Sequence, residues 1–221
     1  MGTTTPTAAL KITGGAGNDT LTGGSGDDVM VGGAGNDTLN AGAGNNTVDV
    51  GAGAGAQVVT FSKGNNDVKA TGATGAVTVT GGNGNNTVEV TSAGGLTVTL
   101  GSGANTITSG TGADTVTVGN GANTIVTGAG NDVIVVGTGA NTITAGAGAD
   151  RITTAANSSS TIVIGADDTA VIAAGTTTLN TADVITGFTT NGDKLKLGLA
   201  DGMDSNYVEF TAAGAYANVA A

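Results

Sequence analysis

Apolar residues recur along the chain as the centres of short segments that glycine-rich polar stretches separate. From Gly14 the sequence reads GGAGNDTLT, GGSGDDVMV, GGAGNDTLN and AGAGNNTVD, so each unit has nine residues. Six residues of each unit predict a turn, because glycine accepts positive φ angles. The other three predict a strand whose central side chain faces inward and whose neighbours face outward. The first four centres are Leu21, Met30, Leu39 and Val48.

Two units in succession predict one coil of a flattened, right-handed parallel β-solenoid with 18 residues per coil. Successive coils would stack at about 4.8 Å, the usual spacing of strands. The pattern covers residues 14–153, with longer and irregular coils at about 50–99. We therefore predict an all-β chain with an N-terminal cap or strand at 1–13 and a β-rich C-terminal cap at 154–221. The cap region holds four of the five aromatic residues, namely Phe188, Tyr207, Phe210 and Tyr216.

The sixth position of the turn differs between odd and even units. In the odd series this position reads Asp19, Asp37, Gly55, Gly75, Gly95, Asp114, Asp132, Asp150. In the even series it reads Asp28, Asn46, Asn66, Asn86, Asn105, Asn123, Asn141. The two turns of one coil lie on opposite edges of a flattened solenoid. The sequence thus predicts an Asp edge, with a charge-free middle at the three glycines, and an Asn edge that forms an uncharged ladder.

The charge balance favours cations as partners. The net charge is −11 with six basic residues, which argues against nucleic acid, and the chain has no cysteine and no histidine. A metal site must therefore use oxygen ligands, which favours calcium or magnesium. Carboxylates stacked about 5 Å apart would repel each other by roughly 1 kcal/mol per pair in water, and a bridging cation would reverse this repulsion. Turn aspartates that only support their own backbone are the alternative.

The units at 14–22, 23–31 and 32–40 match the pattern GGxGxDxUx in full, and the chain resembles the RTX family of nonapeptide repeats. The units at 109–153 keep the second and fourth glycines and lose the first. The resemblance implies a parallel β-roll that binds Ca²⁺ between successive turns of one edge. The implied carboxylate pairs are Asp19 with Asp37, Asp114 with Asp132, and Asp132 with Asp150, with Asp28 as a further candidate. The implied backbone carbonyls are those of Gly14, Ala16, Gly33, Gly35, Ser109, Thr111, Thr127, Ala129, Gly128, Gly130, Gly146 and Gly148.

The C-terminal segment DVITGFTTNGDKLKL is similar to the region that follows the repeats in many exported and surface-layer-like RTX proteins. This resemblance implies type I secretion through an uncleaved C-terminal signal. The N-terminal residues show no secretory signal, which fits this route and equally a cytosolic protein. Asp183 and Asp193 are candidates for a further calcium site, with a turn-capping role as the alternative.

These features predict a secreted, non-enzymatic, calcium-binding structural protein that self-assembles into an extracellular layer, fibre or biofilm matrix. Without histidine or cysteine the usual catalytic triads and zinc motifs are absent. No apolar run approaches the roughly 20 residues that span a membrane. Two alternatives remain open: an ice-binding or adhesin module, and a C-terminal secretion fragment of a larger RTX protein. The first would use outward threonine pairs, at Thr106/Thr108, Thr115/Thr117 and Thr142/Thr144, in rows broken by Val126, Val133, Val135 and Arg151.

Overall fold

Strands form nearly all of the regular structure of this chain. The computed structural model describes residues 6–70, 72–155, 160–164, 171–172, 184–186, 194–197 and 207–208. Within these ranges the chain forms 21 strands and no helix. The predicted all-β class is confirmed. None of the described residues belongs to a helix that could span a bilayer.

The strands are short and follow one another at intervals of about one nonapeptide. The first ten are β1 (Lys11–Ala16), β2 (Thr20–Gly24), β3 (Val29–Ala34), β4 (Thr38–Ala43), β5 (Thr47–Gly51), β6 (Gln57–Lys63), β7 (Asp67–Lys69), β8 (Val77–Thr80), β9 (Thr87–Glu89) and β10 (Leu96–Leu100). The next six are β11 (Thr106–Thr108), β12 (Thr115–Val118), β13 (Thr124–Val126), β14 (Val133–Val136), β15 (Thr142–Thr144) and β16 (Arg151–Thr154). The last five are β17 (Thr161–Ile164), β18 (Val171–Ile172), β19 (Val184–Thr186), β20 (Lys194–Leu197) and β21 (Tyr207–Val208).

The strands alternate between two sheets. One sheet runs β1-β3-β5-β7-β9-β11-β13-β15-β17-β20-β21, and the other runs β18-β19-β16-β14-β12-β10-β8-β6-β4-β2. Each strand from β1 to β16 pairs in parallel with the strand one coil away, so that Met30 lies beside Val48 and Val48 beside Val68. The first separation is 18 residues and the second is 20, which confirms the 18-residue coil and its lengthening in the middle.

The core is a stack of inward side chains between the two sheets. The strand centres, such as Met30, Leu39, Ile107 and Ile134, are completely buried. A second inward position follows two residues later, because the period-2 alternation continues into the first residue of the next turn. Val50 and the other residues at this position are buried, namely Ala41, Val118, Val136 and Ala145, together with the polar Ser109, Thr127 and Thr154. The repeat pattern predicts only one inward residue per unit, so this second column is a correction.

Stacking continues beyond the last nonapeptide. Ile143 is in register with Ile162, and Arg151 with Val184, both in parallel pairs. The first antiparallel pair of the described residues joins β20 to β21. The cap predicted at 154–221 therefore includes strands that extend both sheets, and its boundaries stay a prediction. The candidate ligands Asp183 and Asp193 lie outside the described residues.

Candidate metal centres along one edge

The residue at the sixth turn position joins each coil to the next one through a ladder of hydrogen bonds. The backbone amide of Asp19 donates to Oδ1 of Asp37 at 2.9 Å. The amide of Asp114 donates to Oδ1 of Asp132 at 2.8 Å, and the amide of Asp132 to Oδ1 of Asp150 at 2.8 Å. The carboxylates that the parity of the repeat places on one edge are therefore stacked in successive coils, as predicted.

The Asn edge uses the same ladder. The amide of Asn46 donates to Oδ1 of Asn66 at 3.1 Å, and the amide of Asn105 to Oδ1 of Asn123 at 3.1 Å. The bond that stacks the coils is thus indifferent to charge, because one side-chain oxygen accepts it in both residue types. The two edges differ only at the second atom of the side-chain head group, which is oxygen in Asp and NH₂ in Asn.

The middle of the Asp edge differs from the sequence prediction. The residue in register with Asp37 is Gln57, not Gly55, and the amide of Asp37 donates to its Oε1 at 2.9 Å. Gln57 is then in register with Val77, and Val77 with Leu96, so Gly75 and Gly95 are also displaced from the ladder. The reason is that inward residues of paired strands fix the register, and the extra residues lie in the turn before the ladder position. The prediction of an uncharged middle stands.

The second carboxylate oxygens on the Asp edge are buried. Among the described residues, the Oδ2 atoms of Asp19, Asp37 and Asp114 are inaccessible to solvent and have no hydrogen-bond partner. Burial raises the pKa of the Asp114 carboxyl above its ordinary value of 3.8. The Ser109 hydroxyl, which lies beside the carboxyl but donates its one proton to the Thr127 carbonyl, and the Leu96 amide, which donates to Oδ1, oppose the shift. A buried, unpartnered carboxylate oxygen is costly, so this edge is built for a cation or a proton that the chain does not supply.

The first residue of each odd unit lies beside the ladder carboxylate. A Cβ atom added to Gly14 would lie 2.5 Å from Oδ2 of Asp19, and one added to Gly32 would lie 2.5 Å from Oδ2 of Asp37. These glycines therefore leave the space into which the carboxylates lean. In the later units, Ser109 replaces the glycine, and its hydroxyl donates to the Thr127 carbonyl at 2.8 Å.

Several of the carbonyls that the resemblance implies as ligands already accept one hydrogen bond. The carbonyl of Gly33 accepts from the Ala52 amide at 2.8 Å, and that of Gly128 from the Ala147 amide at 2.9 Å. Each carbonyl oxygen has two lone pairs, so one remains for a cation. Positive φ angles, which favour glycine, orient the turns at Gly33, Gly35, Gly128, Gly130, Gly146 and Gly148. The remaining implied carbonyls belong to Gly14, Ala16, Ser109, Thr111, Thr127 and Ala129 of the same turns.

The Asn edge is satisfied without an ion. The side-chain nitrogen of Asn123 donates to Oδ1 of Asn141 at 2.8 Å and to the carbonyls of Gly121 and Gly119 at 3.1 and 3.3 Å. Asn46, Asn66, Asn86 and Asn105 also bond to the next ladder oxygen and to a carbonyl of their own turn. The Asn141 nitrogen donates to the Gly137 and Gly139 carbonyls and to the Ser160 hydroxyl. The acceptor carbonyls belong to the second and fourth turn positions.

Asp28 lies at the N-terminal end of the Asn edge and has a different environment from the other ladder aspartates. Its Oδ1 accepts from the Leu10 amide at 2.8 Å, and its Oδ2 accepts from the Gly24 amide at 2.9 Å. Both carboxylate oxygens are therefore bound to backbone donors. The sequence signal for this difference is the position of Asp28 in the even series, where its next neighbour is Asn46, although its own unit matches the repeat pattern in full.

The donor set of the Asp edge suits a hard cation. The described residues contain no group of three or more carboxylate, imidazole or thiol side chains that could hold a metal. A site on this edge therefore has two carboxylates at most, and backbone oxygens supply the rest. Calcium accepts such all-oxygen shells of six to eight ligands, so the residues fit this ion.

Comparison with known proteins agrees with this chemistry. The family model described as "RTX calcium-binding nonapeptide repeat (4 copies)" matches residues 11–39, 22–55, 69–90, 99–134 and 126–158. These matches cover more than half of the chain and both groups of stacked aspartates. No curated protein and no solved structure matches the chain.

Proposed function

Since the chain belongs to the family of RTX calcium-binding nonapeptide repeats, we propose that it is a structural protein whose Asp edge binds Ca²⁺. The proposed sites lie between Asp19 and Asp37, between Asp114 and Asp132, and between Asp132 and Asp150. The observation that carries the proposal is the buried, unpartnered Oδ2 of Asp19, Asp37 and Asp114. We assign Asp28 a backbone-capping role, because two amides already bind its oxygens.

The Asp edge would gain free energy from a bound cation, whereas the Asn edge would not. Stacked carboxylates repel each other, and their burial weakens the screening by water. A bound Ca²⁺ would replace this repulsion with attraction and would satisfy the buried oxygens. Since the unfolded chain does not hold the carboxylates together, calcium binding would stabilise the folded coils by mass action. The Asn edge has its own nitrogen donors and gains nothing from the ion.

The test is to count bound calcium and to follow the fold during chelation. Isothermal titration calorimetry of the calcium-free chain with CaCl₂ should give three sites, and circular dichroism should show β-structure lost in excess EGTA. Magnesium at the same concentration serves as the control, because it demands near-octahedral geometry and keeps its water ligands. An unchanged spectrum and melting curve in EGTA would leave the turn aspartates with a backbone role only.

We further propose an extracellular, self-assembling role. Proteins with RTX repeats are typically exported and non-catalytic, which supports this location and a structural task. In the described part of the chain, β1 pairs on one side only, so its other side offers unpaired backbone groups to a second copy. Calcium bridges between acidic surfaces offer a second route. Electron microscopy with and without millimolar calcium tests the idea, and a monomer under both conditions would refute it.

A second candidate function rests on threonine columns of the sheet that contains β8, β10 and β12. Thr78, Thr97 and Thr115 are in register, and so are Thr80, Thr99 and Thr117. Flat rows of hydroxyl and methyl groups can order water, which supports an ice-binding face. The columns end at β14, where Val133 and Val135 take the next positions. A thermal hysteresis measurement decides the matter, since an ice-binding face must lower the freezing point below the melting point.

A further inference from the structure

Gln57 continues the ladder of the Asp edge at the point where the aspartates stop. Its side chain is completely buried, and its Oε1 accepts the Asp37 amide at 2.9 Å. This is the bond that Asp37 itself accepts from Asp19 one coil earlier. The longer glutamine side chain thus supplies the ladder oxygen in a coil whose turn has extra residues.

The nitrogen of the Gln57 amide makes a second bond across the same coil interface. It donates to the carbonyl of Gly35, the fourth position of the turn that carries Asp37. On the Asn edge, the side-chain nitrogens also donate to fourth-position carbonyls, as Asn66 does to Gly64 at 3.0 Å. Gly35 is one of the carbonyls that the family resemblance implies as a calcium ligand. An N–H donor from the following coil thus occupies the place beside the Gly35 oxygen that a cation between these two coils would otherwise take.

The turn before Gln57 is shaped to admit this amide. A Cβ added to Gly53 would collide with both Nε2 of Gln57 and the Gly35 carbonyl. The ladder separation from Asp37 to Gln57 is 20 residues, whereas that from Asp19 to Asp37 is 18. The extra residues therefore do not simply loosen the coil, because the turn closes on a buried and doubly bonded amide.

We infer that Gln57 determines where calcium binding stops on the N-terminal part of the Asp edge. Its amide nitrogen takes the place of a cation between the coil of Asp37 and the following coil. This inference rests on the proposed function and adds a residue that decides which coil interfaces take the ion. The substitution Gln57→Glu, which changes only NH₂ to oxygen, would bring a carboxylate beside the Gly35 carbonyl and near the unpartnered Oδ2 of Asp37.

The experiment compares wild type with Gln57→Glu and Gln57→Leu. Calorimetric titration of each calcium-free chain with CaCl₂ gives the number of ions bound, and thermal melting in EGTA and in calcium gives the stability. Gln57→Glu should bind one more Ca²⁺ per chain than wild type. Its melting temperature should fall in EGTA, because a carboxylate then faces a carbonyl, and should recover in calcium. Gln57→Leu should bind the wild-type number and melt lower in both conditions by the same amount.

The outcomes separate the two proposals. If wild type binds no calcium, the proposed function fails. If wild type binds calcium but Gln57→Glu binds the same number and melts identically with and without the ion, only the role of Gln57 is overturned. If Gln57→Glu stays unfolded at millimolar calcium while Gln57→Leu folds, the role of Gln57 is also overturned, since calcium should rescue the new carboxylate.

Discussion

The two edges of the solenoid stack their coils through the same hydrogen bond but differ in the second atom of the side-chain head group. On both edges a backbone amide donates to a side-chain oxygen one coil away, at 2.8 Å between Asp114 and Asp132 and at 3.1 Å between Asn105 and Asn123. On the Asn edge the remaining nitrogen finds three oxygens, as at Asn123. On the Asp edge the remaining oxygen of Asp114 finds no donor.

This comparison separates two properties that the repeat pattern combines. The first side-chain oxygen accepts the amide of the neighbouring coil, and an aspartate or an asparagine supplies it equally well. The second atom decides whether the head group finds a partner within the chain, as the Asn123 nitrogen does and Oδ2 of Asp37 does not. In the middle coils Val77 and Leu96 hold this position without a side-chain oxygen. The two sheets continue there because the Gln57 amide donates to the Ala76 carbonyl and the Val77 amide donates to the Gly95 carbonyl.

Removal of calcium should give the largest difference between regions. We expect excess EGTA to reduce amide protection strongly in residues 14–40 and 109–155 and much less at 57–105, where the ladder is uncharged. Each bound ion at 100 times its dissociation constant contributes about 2.7 kcal/mol. Hydrogen exchange with mass spectrometry measures this directly. Equal loss of protection in all coils would show that calcium stabilises the solenoid as one unit.

Asn123→Asp should convert one interface of the Asn edge into an unstable one. The new carboxylate would face Oδ1 of Asn141 and the carbonyls of Gly119 and Gly121 without a proton to donate. We expect a loss of about 3 kcal/mol in the free energy of unfolding, because a buried charge is left unpaired. Urea denaturation of both proteins in EGTA measures this loss in the free energy of unfolding.

The matched control for this substitution is Asn83→Asp. Asn83 is exposed, and its Oδ1 accepts the Ser102 amide at 2.8 Å, a bond that aspartate preserves. A surface change of this kind should alter the free energy of unfolding by less than about 0.5 kcal/mol. Similar losses for both variants would contradict the distinction between buried and exposed amides.

Asp132→Asn should make the opposite conversion on the Asp edge. Asp132 lies between Asp114 and Asp150, so the variant should bind two fewer calcium ions. In EGTA it should be more stable than wild type by about 2 kcal/mol, since two repulsive pairs of roughly 1 kcal/mol each are relieved. Glu89→Gln, an exposed change of the same kind on a sheet face, is the control. Lower stability of Asp132→Asn in EGTA would contradict the repulsion argument.

The smallest effect concerns pH in the absence of calcium. Burial raises the pKa of Asp114 in the folded chain above 3.8, so the folded state binds more protons than the unfolded state just above that pH. The contribution of the Asp114 carboxyl to the free energy of unfolding is therefore greatest below pH 3.8, and it falls as the pH rises through the raised pKa. Acidification from pH 7 in EGTA should therefore raise the melting temperature, because protonation removes the charge of the buried carboxylate.

Asp114→Asn is the control for the pH experiment, because it removes the titrating group and keeps the ladder oxygen. Its melting temperature in EGTA should respond less to acidification than that of wild type. With calcium present, acidification should instead lower the melting temperature of wild type, since protons compete with the ion for the carboxylate. An identical pH response of the two proteins in EGTA would mean that other groups dominate.

Much of the architecture could be predicted because the inward residues have a strict period. The spacing of Met30, Leu39 and Val48 indicates the coil, and the separation of Asp114 from Asn123 indicates two edges. These inferences need only the alternation of side chains along a strand and the 18-residue return of the chain. The register partners of Asp114 and Asn123 confirm them.

The ladder in the longer coils could not be predicted from spacing alone. The segment from Val50 to Gln57 is almost entirely glycine and alanine, so it has no side-chain pattern to show where the extra residues lie. The register is decided by Val59, Val79 and Val98, which pair across neighbouring strands and point inward. Only the paired strands reveal that Gln57 stands where Gly55 was expected.

The state of individual carboxylates was also beyond the sequence. Asp28 and Asp37 occupy the same position in full-match units, yet Asp28 has two backbone donors and Asp37 has a buried oxygen without one. The Leu10 amide makes the same ladder bond to Oδ1 of Asp28 that the Asp19 amide makes to Asp37, so the difference arises at Oδ2, to which the Gly24 amide of the same turn donates. The repeat pattern is the same in both units and therefore cannot show which turn brings its amide within reach of the carboxylate.

Ladder partners are separated by 18 residues throughout the segment from Leu96 to Asp150, so the length of this part of the protein is adjustable in whole coils. Deletion of residues 114–131 would remove one 18-residue turn of the solenoid and join Ala113 to Asp132. The Leu96 amide, which donates to Asp114, would then meet Asp132, and Asn105 would meet Asn141. Duplication of the same segment would preserve every bond in the same way. Gene rearrangements in steps of 54 nucleotides can therefore lengthen or shorten the chain, and with it the number of stacked aspartates, without a new fold having to evolve.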